Sequence, residues 1–425
     1  MKKYWINFLI VGMAFGTAWA IRGQFGHEQG AAWAGGIGAL ALVLVAGRKD
    51  WNAKALAISL ASAVGWGAGG MISYGQIVGY GRSDDFLNAS YGLLMLFFIG
   101  GLYGLTGGGL VGLSLSSTKK KKVEWGSLVT EMTAGGIIAY YFLIEQLGLL
   151  MTPPRSEAWA VCLGASVAMV WFMARYQYTP ALRIALISAL GAGFGFAFGN
   201  FLQILGNIME IQFNMWNVME YSIGFFGGSS MAYGVFSTQW PEESETVMIK
   251  PWEGQSAFFI VFVLIPLLVF QQSSALLNPL LGGFSRIQEE GNATLQGSLA
   301  ALLILIIMVR LGLTKMTNTN SISGEKRNVR FLFILYFGVY MIFSYIVSGA
   351  FKGIFMLNHH LYVVNLVVIL FLVGKHFPAF PDNLQPEMKI RDWFKLLLAL
   401  VLAILFLSWI SVLLHGEMSG SNNRF

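Results

Sequence analysis

Thirteen apolar runs, most of them long enough to cross a bilayer at about 18 residues or more, decide what this chain can fold into. They lie near residues 4–21, 31–47, 55–74, 91–116, 125–150, 158–174, 182–203, 217–237, 255–271, 295–313, 331–350, 360–374 and 393–414. In hydrocarbon each backbone donor and acceptor needs a partner, and a helix supplies it within the segment itself. The fold class is therefore all-α: a polytopic membrane protein of about thirteen transmembrane helices. With 56% hydrophobic and 11% charged residues, the 425-residue chain also has too little polar surface for a soluble domain.

The charges orient these helices. With the N-terminus in the cytoplasm, the inner loops take Lys2, Lys3, Arg48, Lys49, Lys119 to Lys122, Arg175, Lys250, Lys315, Arg327 and Lys389. The outer loops keep only Arg22, Arg82, Arg155, Arg286, Lys352 and Arg424. This alternation follows the positive-inside rule. It predicts a multi-pass protein of the bacterial inner membrane, N-terminus cytoplasmic and C-terminus outside. The net charge of +6 is thus a matter of topology and implies no nucleic-acid partner. Met1-Lys2-Lys3, an apolar run and Ala18-Trp19-Ala20 imitate a cleaved secretory signal. Retention is expected, because this stretch belongs to an internal repeat.

That repeat is carried by Ala31 to Gly69, which lies without a gap on Glu157 to Gly195. Ala32-Trp33-Ala34 returns as Ala158-Trp159-Ala160, and Gly38-Ala39 as Gly164-Ala165. The alternate glycines Gly65, Gly67 and Gly69 return as Gly191, Gly193 and Gly195. A finer unit sits inside: Gly12, Gly65, Gly135 and Gly191 are each followed by a glutamine, namely Gln24, Gln76, Gln146 and Gln203. The first eight helices therefore read as two parallel four-helix repeats built from four Gly-rich hairpins. Residues 1–118 form the first repeat, 123–237 the second, 238–254 a cytoplasmic linker and 255–425 a five-helix C-terminal membrane region. Of the 51 glycines, 38 precede residue 241, so the repeats should pack tightly through small residues. The leucine-rich last five helices suit a lipid-facing scaffold or a homo-oligomer contact. Tyr336, Tyr340, Ser344 and Ser348 form a polar stripe there that should face the bundle.

Candidate site residues follow from this frame. Gln24, Gln76, Gln146 and Gln203 would reach one depth, where amides suit a hydroxylated or zwitterionic solute; alternatively each caps its own helix end. Arg22, His27 and Glu28 share one outer turn and offer an anion clamp, a base and an acid; the turn could equally close on itself through an Arg22–Glu28 pair. Asp84, Asp85 and Glu220 are further acids. Glu131 lies deep in its apolar run, where a charge costs about 2.5–3.5 kcal/mol on insertion scales, and Glu145 stands above it on the same helix.

Other motifs are excluded. Gly65 to Gly70 matches a dinucleotide fingerprint but follows no strand. Cys162 is the sole cysteine, and no histidine spacing supports a metal, so no metal or cofactor is expected. No Walker A, HExxH or GxSxG motif is present.

The expected function is a transporter or permease for a small polar solute, sugar-like or zwitterionic, with proton coupling as one mode, binding through Arg22, the four glutamines, Glu131 and Glu145. The alternative is a membrane-embedded enzyme working at the outer face on a glycan or lipid-linked substrate, with His27, Glu28, Asp84, Asp85 and Glu220 as acid–base residues. A path joining the His27 turn to Glu131 favours the carrier; a sealed apolar floor separating the two means that the carrier reading is to be given up.

Overall fold

A computed structural model of the chain describes residues 5–243, 250–273, 291–317, 326–351, 356–375 and 389–425. Among them the secondary structure is helical, with no strand. The N-terminal part comprises α1 (Trp5–Arg22), α2 (His27–Ala46), the short α3 (Lys49–Ala53), α4 (Ala55–Gly70), α5 (Gly75–Gly81) and α6 (Phe86–Ser116). It continues with α7 (Trp125–Tyr140), extended by a π-helical turn to Gln146, then α8 (Ala158–Arg175), α9 (Thr179–Ile208) and α10 (Met215–Phe236). The C-terminal part comprises α11 (Pro251–Phe258) joined through a π-helical turn to α12 (Ile265–Ser273), then α13 (Gly291–Thr317), α14 (Lys326–Tyr345), α15 (Leu357–Lys375) and α16 (Ile390–Leu414).

Eleven described helices are long and apolar enough to cross a membrane, and α4 with α5 makes a twelfth if the two count as one span bent by 65°. Helix stands in each of the thirteen apolar runs, but α10 does not reach that threshold, because it carries Asn217, Glu220, three serines and several glycines. The chain is thus a many-helix protein with the character of an integral membrane protein, short of the expected count of thirteen.

Six helices close a ring, in which α1, α2, α4, α6, α9 and α10 each pack on the next and α10 returns to α1. Small residues make the close approaches possible. On α6, Gly100, Gly104, Gly108 and Gly112 recur every fourth residue and so lie on one face. They meet Ala192, Ser188 and Ala181 of α9 so closely that a methyl group at Gly104 would overlap the Ser188 carbonyl. Gly12, Gly16, Gly224 and Gly228 bring α1 and α10 together in the same way. Lipid offers no hydrophobic drive to join helices, so such small-residue faces supply van der Waals contact instead. Serine hydroxyls add to them: Ser62 Oγ donates to Gly35 O at 2.7 Å across the α2–α4 seam.

Glycines that the sequence expectation pairs have settings that are only partly alike. Gly65 seats α4 on α6 at Thr106 and Gly107, and Gly191 seats α9 on α10 at Ser230 and Phe226. Their neighbours diverge. Gly67 meets Ala32 of α2, whereas Gly193 meets Phe97 of α6. The hairpin α7–α8 stands outside the ring, closed on itself through Gly135 and Gly164, and α6 takes the place beside α9 that α8 would fill.

Loops expected on one side meet one another. Arg48 donates to Pro241 O, and Lys121 to Gln177 O. At the other end the tail after α16 folds back over α5 and α6. Asn422 N donates to Gly79 O at 3.0 Å, and Arg424 N to Asn88 Oδ1 at 2.7 Å. In the C-terminal part Tyr336, Tyr340 and Ser344 are fully buried, and Tyr340 stacks on Trp33 of α2 at 4.4 Å. The stripe faces the bundle, so α14 is part of its packed wall rather than a loose scaffold.

Candidate functional site

The end of α1 delivers Arg22 into the ring, where it is 1% exposed. Nη1 donates to Glu220 of α10 at 3.1 and 3.2 Å and to Tyr74 Oη at 2.7 Å. Tyr74 in turn donates to Glu220 Oε1 at 2.5 Å. Arg22 Nη2 lies 3.0 Å from His27 Nδ1. A guanidinium has no lone pair to offer, so Nδ1 is the acceptor and the proton of the neutral ring sits on Nε2. The guanidinium also packs over the Trp19 and Tyr74 rings, an arrangement worth more when desolvated. Buried ions need pairing and hydrogen bonds to be tolerable, and this pair has both.

Each member is placed by local backbone. Tyr74 lies where α4 stops after Gly69-Gly70 and α5 begins with Gly75, so the helix break itself turns its side chain to the centre. Tyr103 Oη ties the break down by donating to Ile72 O. Asn217, one turn before Glu220, donates to Ala20 O and to Tyr362 Oη of α15. Ser344 donates to Gln24 and shares His359 Nε2 with Ser348. A polar seam therefore runs from the Arg22 centre toward α14 and α15.

Beneath the centre the ring is filled. Phe15, Trp19, Trp66, Tyr103 and Phe196 are all 0% exposed and meet edge-on or tilted, with centroids 4.6 to 5.8 Å apart. This aromatic layer separates the centre from the opposite end of the ring.

Of the residues singled out from the sequence, Arg22, His27 and Glu220 converge here. Glu28 lies close by, but Arg22 takes Glu220 and His27 as partners, so the Arg22–Glu28 closure of the turn is not formed. Glu131 stands apart: it is ion-paired to Arg175 on the α7–α8 hairpin, partly exposed and outside the ring. The cost of a charge in an apolar run requires protonation, a partner or water, and the pairing across the hairpin supplies the partner. Glu145 and Gln146 are exposed in the π-helical turn of the same hairpin. Asp85 caps α6, accepting from Asn88 N at 2.9 Å, and that bond holds its carboxyl below the usual range. Asp84 is exposed beside it. The four glutamines do not share one setting. Gln24 accepts from Ser344, Gln76 from Asn422, and Gln203 from Asn200, while Gln146 faces out. Among the described residues no group of three or more His, Cys, Asp or Glu side chains could hold a metal.

Tyr74, Asn217 and Tyr103 are not among the residues singled out from the sequence. The signal for Tyr74 was present: Met71-Ile72-Ser73-Tyr74 after a glycine pair interrupts the run at 55–74. No family of known proteins, no curated protein and no solved structure matches this chain.

Proposed function

We propose that the chain is a membrane carrier for a small polar solute, built on the tandem duplication, with Arg22, Tyr74 and Glu220 as its charged centre. The observation that carries this reading is a buried, balanced ion pair at the break of a discontinuous helix, bridging α1 of one half to α10 of the other. Ionisable side chains inside a membrane bundle mark pathways by default, and interrupted helices are where carriers place their sites. Protonation of Glu220 would free the Arg22 guanidinium for an anionic group of the solute, which couples the two. The route through Glu131 and Glu145 is dropped, because both lie on the outer hairpin.

The acid–base chemistry expected of an enzyme is less well served. His27 spends its Nδ1 lone pair on Arg22 and presents only a donor at Nε2, whereas a general base needs a free lone pair. The sealed aromatic floor meets the condition set from the sequence for giving up the carrier, and it favours the enzyme as a second reading, with a site open to one face only; the carrier is kept because alternating access closes one side at a time.

The test is flux. Full-length protein in liposomes loaded with a pH-reporting dye is challenged with a panel of sugars, amino acids and organic acids under an imposed proton gradient. At least one solute should move protons in the wild type, with Glu220→Gln abolishing the coupled flux. Solute-driven flux that survives in Glu220→Gln, or a whole panel without flux in either protein, would overturn the carrier.

A further inference from the structure

A second polar feature lies apart from the Arg22 centre, at the end of the bundle that carries the C-terminal tail. A cavity of about 720 Å3 opens between Arg82, the α9–α10 connection and residues of the tail. Gln203 lines it with a side chain that is 0% exposed. Its Oε1 accepts from Asn200, but its Nε2 has no partner. Arg82 lies over the Trp216 ring at 5.2 Å and donates from Nη1 to Ser419 O at 3.4 Å. Its Nε is also buried without a partner. Leaving a buried donor unmatched is costly, and such groups in a folded protein call for an explanation. Two of them in one cavity are explained together by an acceptor-rich ligand.

The rest of the lining narrows the class. Arg82 is a planar cation suited to a carboxylate. Asn207 and Asn214 join Gln203 as amides, which both donate and accept and so match hydroxyl groups. Trp216 remains 43% exposed although Arg82 covers part of its ring, leaving a flat apolar surface. Glu417 reaches the rim but is itself exposed. The volume falls within the range of about 300–1,000 Å3 usual for small-molecule sites.

We infer that this cavity binds an acidic saccharide, one or two sugar rings bearing a carboxylate. Arg82 takes the carboxylate, the amides take the hydroxyls and Trp216 takes the apolar face of a ring. The stretch directly after α16 forms one wall, so the ligand is held between that stretch and the bundle end. This inference does not rest on the carrier reading, since binding at equilibrium needs no transport; a silent flux assay leaves it standing.

Detergent-solubilised full-length protein is titrated calorimetrically with sodium glucuronate, glucose and sodium acetate. Glucuronate should bind at least about tenfold tighter than either partial mimic, the factor expected of one charge-assisted hydrogen bond. Arg82→Gln should erase the preference over glucose, and Trp216→Ala should weaken both sugars, with melting curves in the absence of sugar reporting that each variant is folded. If Arg82→Gln does not fold, Trp216→Ala on the rim of the same cavity carries the test. Absence of heat with glucuronate, acetate binding as tightly as glucuronate, or wild-type affinity in a folded variant would overturn the site.

Discussion

Arg22 and Lys54 are both buried cations, and their surroundings treat them differently. Arg22 has a carboxylate, a phenol, an imidazole and two aromatic faces. Removing one member of such a pair leaves an uncompensated charge at a cost of about 3–5 kcal/mol. Lys54, at 4% exposure, has a single carbonyl partner, Ser114 O at 3.2 Å, and burial pushes its ammonium down to about 8. Its folded value lies below the unfolded one of about 10.4. The cost of holding the charge is therefore fully present below pH 8 and is relieved as pH rises toward 10, where the unfolded chain binds more protons. Stability of the wild type should rise across that window, while Lys54→Met, more stable at pH 7, should lack the rise; parallel melting curves for the two proteins from pH 7 to 10 would refute this. Arg22 and His27 were legible as candidates because they crowd one short polar turn, and Glu220 because charged residues in apolar runs are few. Their pairing was not, since Arg22 and Glu220 are 198 residues apart. The partner of Glu131 was equally hidden: a charge in an apolar run calls for one, but that Arg175 of the neighbouring helix supplies it is visible only in the fold.

At the level of elements, the α6–α9 seam depends on the absence of side chains. A methyl at Gly104 would strike the Ser188 carbonyl, whereas one at Gly126 meets nothing within 4 Å. Gly104→Ala should cost about 1–3 kcal/mol through overpacking. Gly126→Ala should be neutral or gain up to about 1 kcal/mol from helix propensity. Equal melting temperatures for the two variants would contradict the seam as described. The glycine face of α6 was readable from spacing alone, as were the positions of the helices. The glycine pair Gly69-Gly70 marked where α4 could break, but the 65° angle of the break and the π-helical turns were not readable. They depend on which neighbour satisfies the freed backbone groups, as Tyr103 does for Ile72, and composition carries no record of that.

For the molecule as a whole, the sequence offered a constant shift of residues as the sign of a repeat, but it offered no arrangement of helices. A repeat states what each helix resembles, not which partner it takes. Gly67 and Gly193 correspond in sequence, yet one meets α2 and the other meets α6, leaving the α7–α8 hairpin outside. Sidedness is the remaining expectation of the charge pattern. In a Cys162→Ala background, a membrane-impermeant maleimide should label Ser419→Cys in intact cells and Lys120→Cys only after lysis. The reverse result would invert the protein and move the tail and its cavity to the cytoplasm. The closed circuit of six helices has a mechanical corollary as well. Since every helix of it is clasped on two sides, a carrier of the kind proposed above would open to Arg22 by helices sliding lengthwise past one another, not by one wall swinging out. Smooth glycine tracks permit that shear without unlocking interdigitated side chains.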